Sequence, residues 1–205
     1  MIRFLKSIFN FIFPIKGKNN HITGRLRLIG KVYIRGNNNT IICNSKSVWG
    51  GVKIKIFGNN NTLIIHSGVV MKKGVIWFED SGNLIEIGEH TTIEGAELAV
   101  AEENTTLKIG NDCMLSSDIR IATTDSHSVT DITGTKRLNS AKDVNIGNHV
   151  WIGNGVKINK GVIIGDNSVI AGYSVMTKSC PPNTICAGIP AQIKKYNINW
   201  TRKRF

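Results

Sequence analysis

The chain has no aspartate or glutamate before residue 79, few aromatic residues and no long hydrophobic run. Each of these lacks removes a reading. Residues 1–78 carry 13 lysines and arginines and no carboxylate, whereas residues 79–205 carry 13 against 14 acids. The net charge of +12 is therefore a property of the N-terminal part. Such asymmetry fits a polyanionic partner or surface there, with a plain solvated basic face as the bland alternative. No uninterrupted apolar stretch approaches the roughly 20 residues that cross a bilayer. Aromatic residues make up 7% of the chain and are not interleaved with the basic ones as a stacking platform, so nucleic acid is not an expected partner. Cys43, Cys113, Cys180 and Cys186 form no CxxC pair and join no histidine at zinc spacing. Reduced, mostly buried thiols in a cytosolic protein are the expectation, with no metal site. With 41% apolar and 20% charged residues over 205 positions, a single folded domain with short appendages is expected, not disorder.

Residues 1–13, MIRFLKSIFNFIF, place Arg3, Lys6, Ser7 and Asn10 at three- and four-residue spacing. That spacing predicts an amphipathic helix with one narrow polar stripe. Pro14 stops it, because proline lacks a backbone donor and restricts the residue before it. No small-residue cleavage site follows, so a signal peptide is disfavoured. Two readings remain. The helix caps one end of the core, or residues 1–18 make peripheral contact with an anionic membrane through Arg3, Lys6, Lys16 and Lys18.

From residue 146 the text falls into sixes: IGNHVW, IGNGVK, INKGVI, IGDNSV, IAGYSV, MTKSCP. Ile146, Ile152, Ile158, Ile164, Ile170 and Met176 open them, and all six are large and apolar. An α-helix cannot use this period, since six residues carry a side chain well off its starting face. A short strand plus a turn does, and three such units close a triangular coil with the aliphatic inward and glycine or asparagine taking the turn geometry. Ile87 and Ile93 keep the phase upstream, as do Ile109, Leu115 and Ile121. Further back, RGNNNTIIC at 35–43 and FGNNNTLII at 57–65 are near-copies at a spacing of 22. Clustered asparagine suits repeated turns and side-chain ladders, and the departure from a multiple of six predicts bulges or small insertions there. One long polar interruption, ATTDSHSVTDITGTKRLNSAKDVN, separates Ile121 from Ile146. A long excursion from a rigid scaffold is a place where function sits.

These hexads, the excursion with TTDSHS at 123–128 and RLN at 137–139, the IGNHVWIG at 146–153, the TKSCPPNTICAGIPA at 177–191 and the NINW at 197–200 together resemble the hexapeptide-repeat acyltransferases. Within them, the chain is most similar to the bacterial sugar and capsular-polysaccharide O-acetyltransferases. The resemblance covers residues from about 107 to the end and is loose in the N-terminal third. It implies an all-β fold, a left-handed parallel β-helix of hexapeptide repeats; that hand contradicts the usual right-handed crossover preference and comes from the resemblance alone. The organisation expected is a helix and linker over 1–20, the β-helix domain over 21–193 with a catalytic loop at 122–143, and a basic tail over 194–205.

His127 lies in the excursion between Asp125 and Asp131. A histidine titrates near neutrality and can take a proton from a hydroxyl that attacks a thioester. The resemblance makes His127 the general base in direct acetyl transfer from acetyl-CoA, and Asp125 or Asp131 are candidates to orient it, in competition with a backbone carbonyl. His21, His66, His90 and His149 offer no metal pairing of the kind a zinc-bearing β-helix needs. The resemblance also implies that Trp151 borders the reactive end of the acyl donor, with packing between subunits as the compatible alternative, that Asn154 and Gly172 lie along its pantetheine arm, that Thr177 and Lys178 lie beyond, and that Lys195 meets the nucleotide phosphates, with plain surface charge as the alternative for the two lysines. Gln192, where relatives often carry a basic residue, and Tyr173, where they carry a smaller one, depart from that pattern.

The reading that follows is an acetyl-CoA-dependent O-acetyltransferase without a metal, a homotrimer with sites between neighbouring coils, in the cytoplasm or at the inner face of the membrane. Its acceptor is a hydroxyl of a bacterial surface saccharide or its precursor, and the basic N-terminal part motivates an anionic one. The alternatives are an N-acetyltransferase acting on an amino sugar nucleotide and a non-catalytic β-helix that binds polyanions.

Overall fold

The computed structural model describes residues 15–24, 31–44 and 46–204. The helix expected over residues 1–13 lies outside these. The described residues form strands and turns only, wound as a parallel β-helix. One side of the coil is a seven-stranded parallel sheet that runs from His21–Thr23 through Thr40–Cys43, Thr62–Ile65, Leu84–Ile87, Thr106–Ile109 and Val144–Ile146 to Ile163–Ile164. This is the first side, and its seven strands mark about seven turns. The second side holds Thr92–Ile93, Met114–Leu115, Trp151–Ile152, Val169–Ile170 and Ile185–Gly188. The third side holds Ala96–Val100, Ile119–Ala122, Lys157–Ile158 and Val175–Met176. In the lower coils Val48–Phe57 and Val70–Glu79 run from the second side into the third without a break.

The six-residue beat becomes the core. Ile146, Ile152, Ile158, Ile164, Ile170 and Met176 are all buried, and so are the fifth residues Val150, Val156, Val162, Ser168, Ser174 and Cys180. The turn chemistry is divided differently from the sequence expectation. The second-position glycines do not hold the unusual backbone. They sit where the neighbouring coil comes close: a Cβ on Gly153 would lie 2.6 Å from the Gly172 nitrogen, and one on Gly110 would lie 2.5 Å from the Gly147 oxygen. The left-handed backbone falls instead on the fourth residue of five successive hexads, His149, Gly155, Gly161, Asn167 and Tyr173, with φ between 52° and 76°. Two requirements, close approach and positive φ, are met by two different positions of one hexad.

The lower coils are longer. Thr40, Thr62, Leu84 and Thr106 are in register, a spacing of 22 residues that the asparagine contacts repeat, against 18 in the upper coils. The extra length is not a scattered bulge. The stretch from Ile76 to Ile85 is longer than its counterpart from Ile158 to Val162, and it adds the buried Phe78 and an asparagine corner. At that corner Asn39, Asn61 and Asn83 are buried and form a ladder. Each side-chain oxygen accepts the backbone N–H of the residue one coil up: Asn61 to Asn39 at 2.9 Å, Asn83 to Asn61 at 3.0 Å, Thr105 to Asn83 at 2.7 Å. The amides donate to the carbonyls of Gly58, Asp80 and Glu79. The Asn clusters are thus turns and a ladder, as their composition predicts.

Candidate functional site

The excursion leaves the coil at the corner between the third and first sides, after Ile119–Ala122, and returns at Val144–Ile146. Its base is fixed by Glu102, one coil below. Arg137 donates to both Glu102 oxygens at 2.8 and 2.6 Å, Thr124 donates at 2.7 Å and the Ala141 N–H at 3.1 Å. Burial opposes ionisation of Glu102, but these hydrogen bonds and the Arg137 charge outweigh it and hold the carboxyl below its ordinary value. Such a carboxylate adds stability above its ordinary value of 4.5 and loses it as pH falls through the depressed value. Glu102→Gln, which mimics the protonated form, is expected to speed amide exchange in 124–142 by roughly three- to tenfold, the scale of a partly exposed bidentate pair. Unchanged exchange would show that Glu102 does not hold the loop.

Above this base the chain turns sharply at Ser126, φ 69°. The His127 N–H donates to the Asp125 carbonyl at 2.9 Å, and the Asn139 amide donates to the His127 carbonyl at 2.8 Å and to Asp125 Oδ2 at 2.9 Å. Lys160, from the next coil up, donates to Asp125 Oδ2 and to the Asn139 carbonyl, both at 2.5 Å. The Lys160 ammonium, then Asn139, hold the Asp125 carboxyl below the ordinary range. The backbone of His127 is pinned on both sides while its side chain is exposed. Among the described residues, no hydrogen bond is made to its ring.

Asp125 shares the turn with His127, but its carboxylate faces Lys160 and Asn139. Asp131 closes its own turn: it accepts from the N–H groups of Lys136 and Thr135 and from the Thr133 hydroxyl, and these lower its carboxyl. Sequence reasoning named neither Lys160 nor Glu102. Lys160 did leave a signal. The third hexad position carries Asn148, Asn154 and Asp166; Gly172 departs from that pattern at another corner, and Lys160 and Lys178 depart from it together at one corner. Glu102 carried no comparable signal, because its partners are 22 to 39 residues away.

The other expected positions lie in three places on one chain. Thr177 and Lys178 are exposed at the corner that also carries Lys160 and the loop. Asn154 and Gly172 occupy the corner between the second and third sides, where the Asn154 amide donates to the Ser117 carbonyl and hydroxyl at 3.0 and 2.7 Å. Tyr173 stands there too, 71% exposed, its ring over Gly155. Trp151 opens the second side and is 40% exposed, and Lys195 pairs with Ile185 on that same side. A single chain therefore does not gather them into one cleft. Two open grooves, one of about 450 Å³ on the first side beside Gly110 and Gly147 and one of about 370 Å³ beside Lys73 and Arg120, touch neither His127 nor Trp151.

Comparison with known proteins follows this geometry. A family model described as "Bacterial transferase hexapeptide (six repeats)" matches residues 143–178. A polysialic acid O-acetyltransferase of Escherichia coli O1:K1 / APEC is 38% identical over 121 residues, which cover 59% of this chain and 39% of that protein's length. Among solved structures, the polySia-specific acetyltransferase NeuO is 36% identical with a TM-score of 0.86 over 94% of this chain and 90% of its own. The polysialic acid O-acetyltransferase OatWY is also 36% identical, with a TM-score of 0.88 over 93% and 91%. A hexapeptide-repeat acetyltransferase from Vibrio cholerae O1 biovar eltor, complexed with acetyl-CoA, is 28% identical with a TM-score of 0.50 over 64% and 72%.

Proposed function

Because the chain belongs to the bacterial hexapeptide-repeat transferases and is similar over nearly its whole length to polysialic acid O-acetyltransferases, we propose that it transfers an acetyl group from acetyl-CoA to a hydroxyl of an anionic surface polysaccharide. The observation that carries this reading is His127: an imidazole exposed on a loop whose backbone is pinned by Asn139 and whose base is clamped by Glu102. The neutral ring accepts the proton of the acceptor hydroxyl as that oxygen bonds to the thioester carbonyl carbon. The carbon–sulfur bond then breaks, and the proton passes from His127 to the departing thiolate. Asp125, through Lys160 and Asn139, keeps the turn in place. The anionic acceptor fits the third side of the lower coils. Lys16, Arg35 and Lys53 are exposed there, and Lys55 lies 4.9 Å over the Trp77 ring, itself against Phe57.

The site is completed by a second copy of the chain in a homotrimer. Val48, Val70, Thr92, Met114, Trp151, Val169 and Ile185 form one outward column up the second side, apolar except at Thr92. Val48 is 58% and Trp151 40% exposed in the single chain. Burying such a stripe against a neighbour brings Trp151 toward another chain's loop.

The test is mass spectrometry of sialic acid and uronic acid polymers, and of a neutral glucan, after incubation with isotopically labelled acetyl-CoA. Label on the hydroxyls of an anionic polymer is the expected result. Label on none of them, with acetyl-CoA left intact, would contradict the reading.

A further inference from the structure

The C-terminal segment does not trail away from the coil. Residues 197–204 run back along the corner between the first and second sides, touching one coil after another. The Ile198 N–H donates to the Asn183 carbonyl, and the Asn183 amide returns a bond to the Ile198 carbonyl, both at 3.1 Å. Trp200 is buried and donates its indole N–H to the His149 carbonyl at 2.7 Å. Its ring stacks on the His149 ring at 4.2 Å and 9°. Arg202 reaches the carboxylate of Asp112 at 3.1 Å, the Cys113 carbonyl at 3.0 Å and the Thr92 hydroxyl at 2.9 Å.

Two features give this strap a role beyond covering the corner. First, Trp200 is the packing partner of Trp151, with ring centroids 6.0 Å apart and planes at 46°. Second, both hydrogen-bond partners of the His149 ring are acceptors. Nδ1 lies 2.7 Å from Asp112 Oδ2 and Nε2 lies 3.0 Å from the Trp200 carbonyl oxygen. A carboxylate and a carbonyl offer no proton, so both contacts are complete only when both ring nitrogens carry one. The charged groups around His149 are Asp112, one coil below and against the ring, Arg202 on the other oxygen of Asp112 and 5.7 Å over the Trp200 ring, His90 two coils below, and Asp166, which holds the Asn148 N–H from the coil above.

We propose that residues 197–204 form a clasp, held by the His149 ring between Asp112 and Trp200, that positions Trp151 for the acyl donor. The clasp itself stands on the geometry above; its role toward the donor rests on the proposed function. Trp200 is then a positioning residue, acting through Trp151.

Two readouts on the full-length protein test this. The far-ultraviolet exciton couplet of the Trp151–Trp200 pair, isolated by subtracting the Trp200→Phe spectrum, should be present in the parent protein. His149→Asn, whose asparagine tolerates the left-handed backbone there, breaks the ring's bridge between Asp112 and Trp200 and should weaken the couplet. Calorimetry with acetyl-CoA should show Trp200→Ala weakening the donor by on the order of tenfold, with Trp200→Phe restoring most of it and acceptor KM unmoved. A couplet unchanged by His149→Asn would overturn the clasp. Unchanged donor affinity in Trp200→Ala, with the couplet weakened by His149→Asn as expected, would overturn the positioning role. The couplet reads closure whether or not acetyl transfer occurs, so a failure of the clasp is distinguishable from a failure of the enzymatic reading.

Discussion

His127→Ala should lower kcat for acetyl transfer by about 10²- to 10⁴-fold, the span of a lost general base, while melting temperature and assembly stay as in the parent protein. The structure separates the two effects. The loop is held by backbone contacts at residue 127 and by the side chains of Asn139, Lys160, Arg137 and Glu102. An alanine at 127 keeps its N–H on the Asp125 carbonyl and its carbonyl under the Asn139 amide. Only the imidazole is lost, and among the described residues no hydrogen bond of the fold is made to it. Asn139→Ala should behave differently. It frees the His127 carbonyl and one Asp125 contact, so it should loosen the loop and reduce kcat through misplacement. Steady-state kinetics beside thermal melts checks the pair. A His127→Ala protein within threefold of the parent rate would remove the mechanism.

The largest effect on stability is expected in the asparagine ladder. Asn61 is fully buried, its amide donates to the Asp80 carbonyl at 2.9 Å and its oxygen accepts the Asn83 N–H at 3.0 Å. Asn61→Leu keeps roughly the volume but strands both partners. Each stranded buried group costs about 1–3 kcal/mol, so the substitution should cost about 2–6 kcal/mol. That corresponds to a fall in Tm of roughly 5–20 °C for a chain of this size. Asn37, one row outward and exposed, is the control. Its contacts to Asn59 and Lys18 lie in water, and Asn37→Ala should cost below about 1 kcal/mol, because solvent replaces what is lost. Equal melting temperatures for the two variants would show that the ladder contributes nothing beyond its turns.

Much of the coil was legible before any coordinates. Periodicity exposed the inward column from Ile146 to Met176 because each inward residue recurs at one fixed interval. The same text hid the reason for glycine. Gly153 and Gly155 look alike in sequence, but one is there for contact with the next coil and the other for its φ of 69°. The 22-residue near-copy of GNNNT looked like a repeat with small insertions, and proved to be a whole longer turn carrying its own ladder. The excursion was readable as a break in the beat, and His127 as its one imidazole. The groups that hold it were not, because Glu102, Arg137 and Lys160 meet across tens of residues. The same distance hid the partnership of His149 with Trp200, 51 residues away, although both were visible inside quoted motifs.

The central claim is that one chain's His127 works beside the Trp151 of another. Mixed oligomers test it most directly. His127→Ala and Trp151→Ala chains, each slow alone, should recover about a quarter of the parent rate when co-assembled at random in equal amounts, because that share of inter-chain sites pairs an intact imidazole with an intact indole. A mixture no faster than the average of its two parents would contradict a site shared between chains.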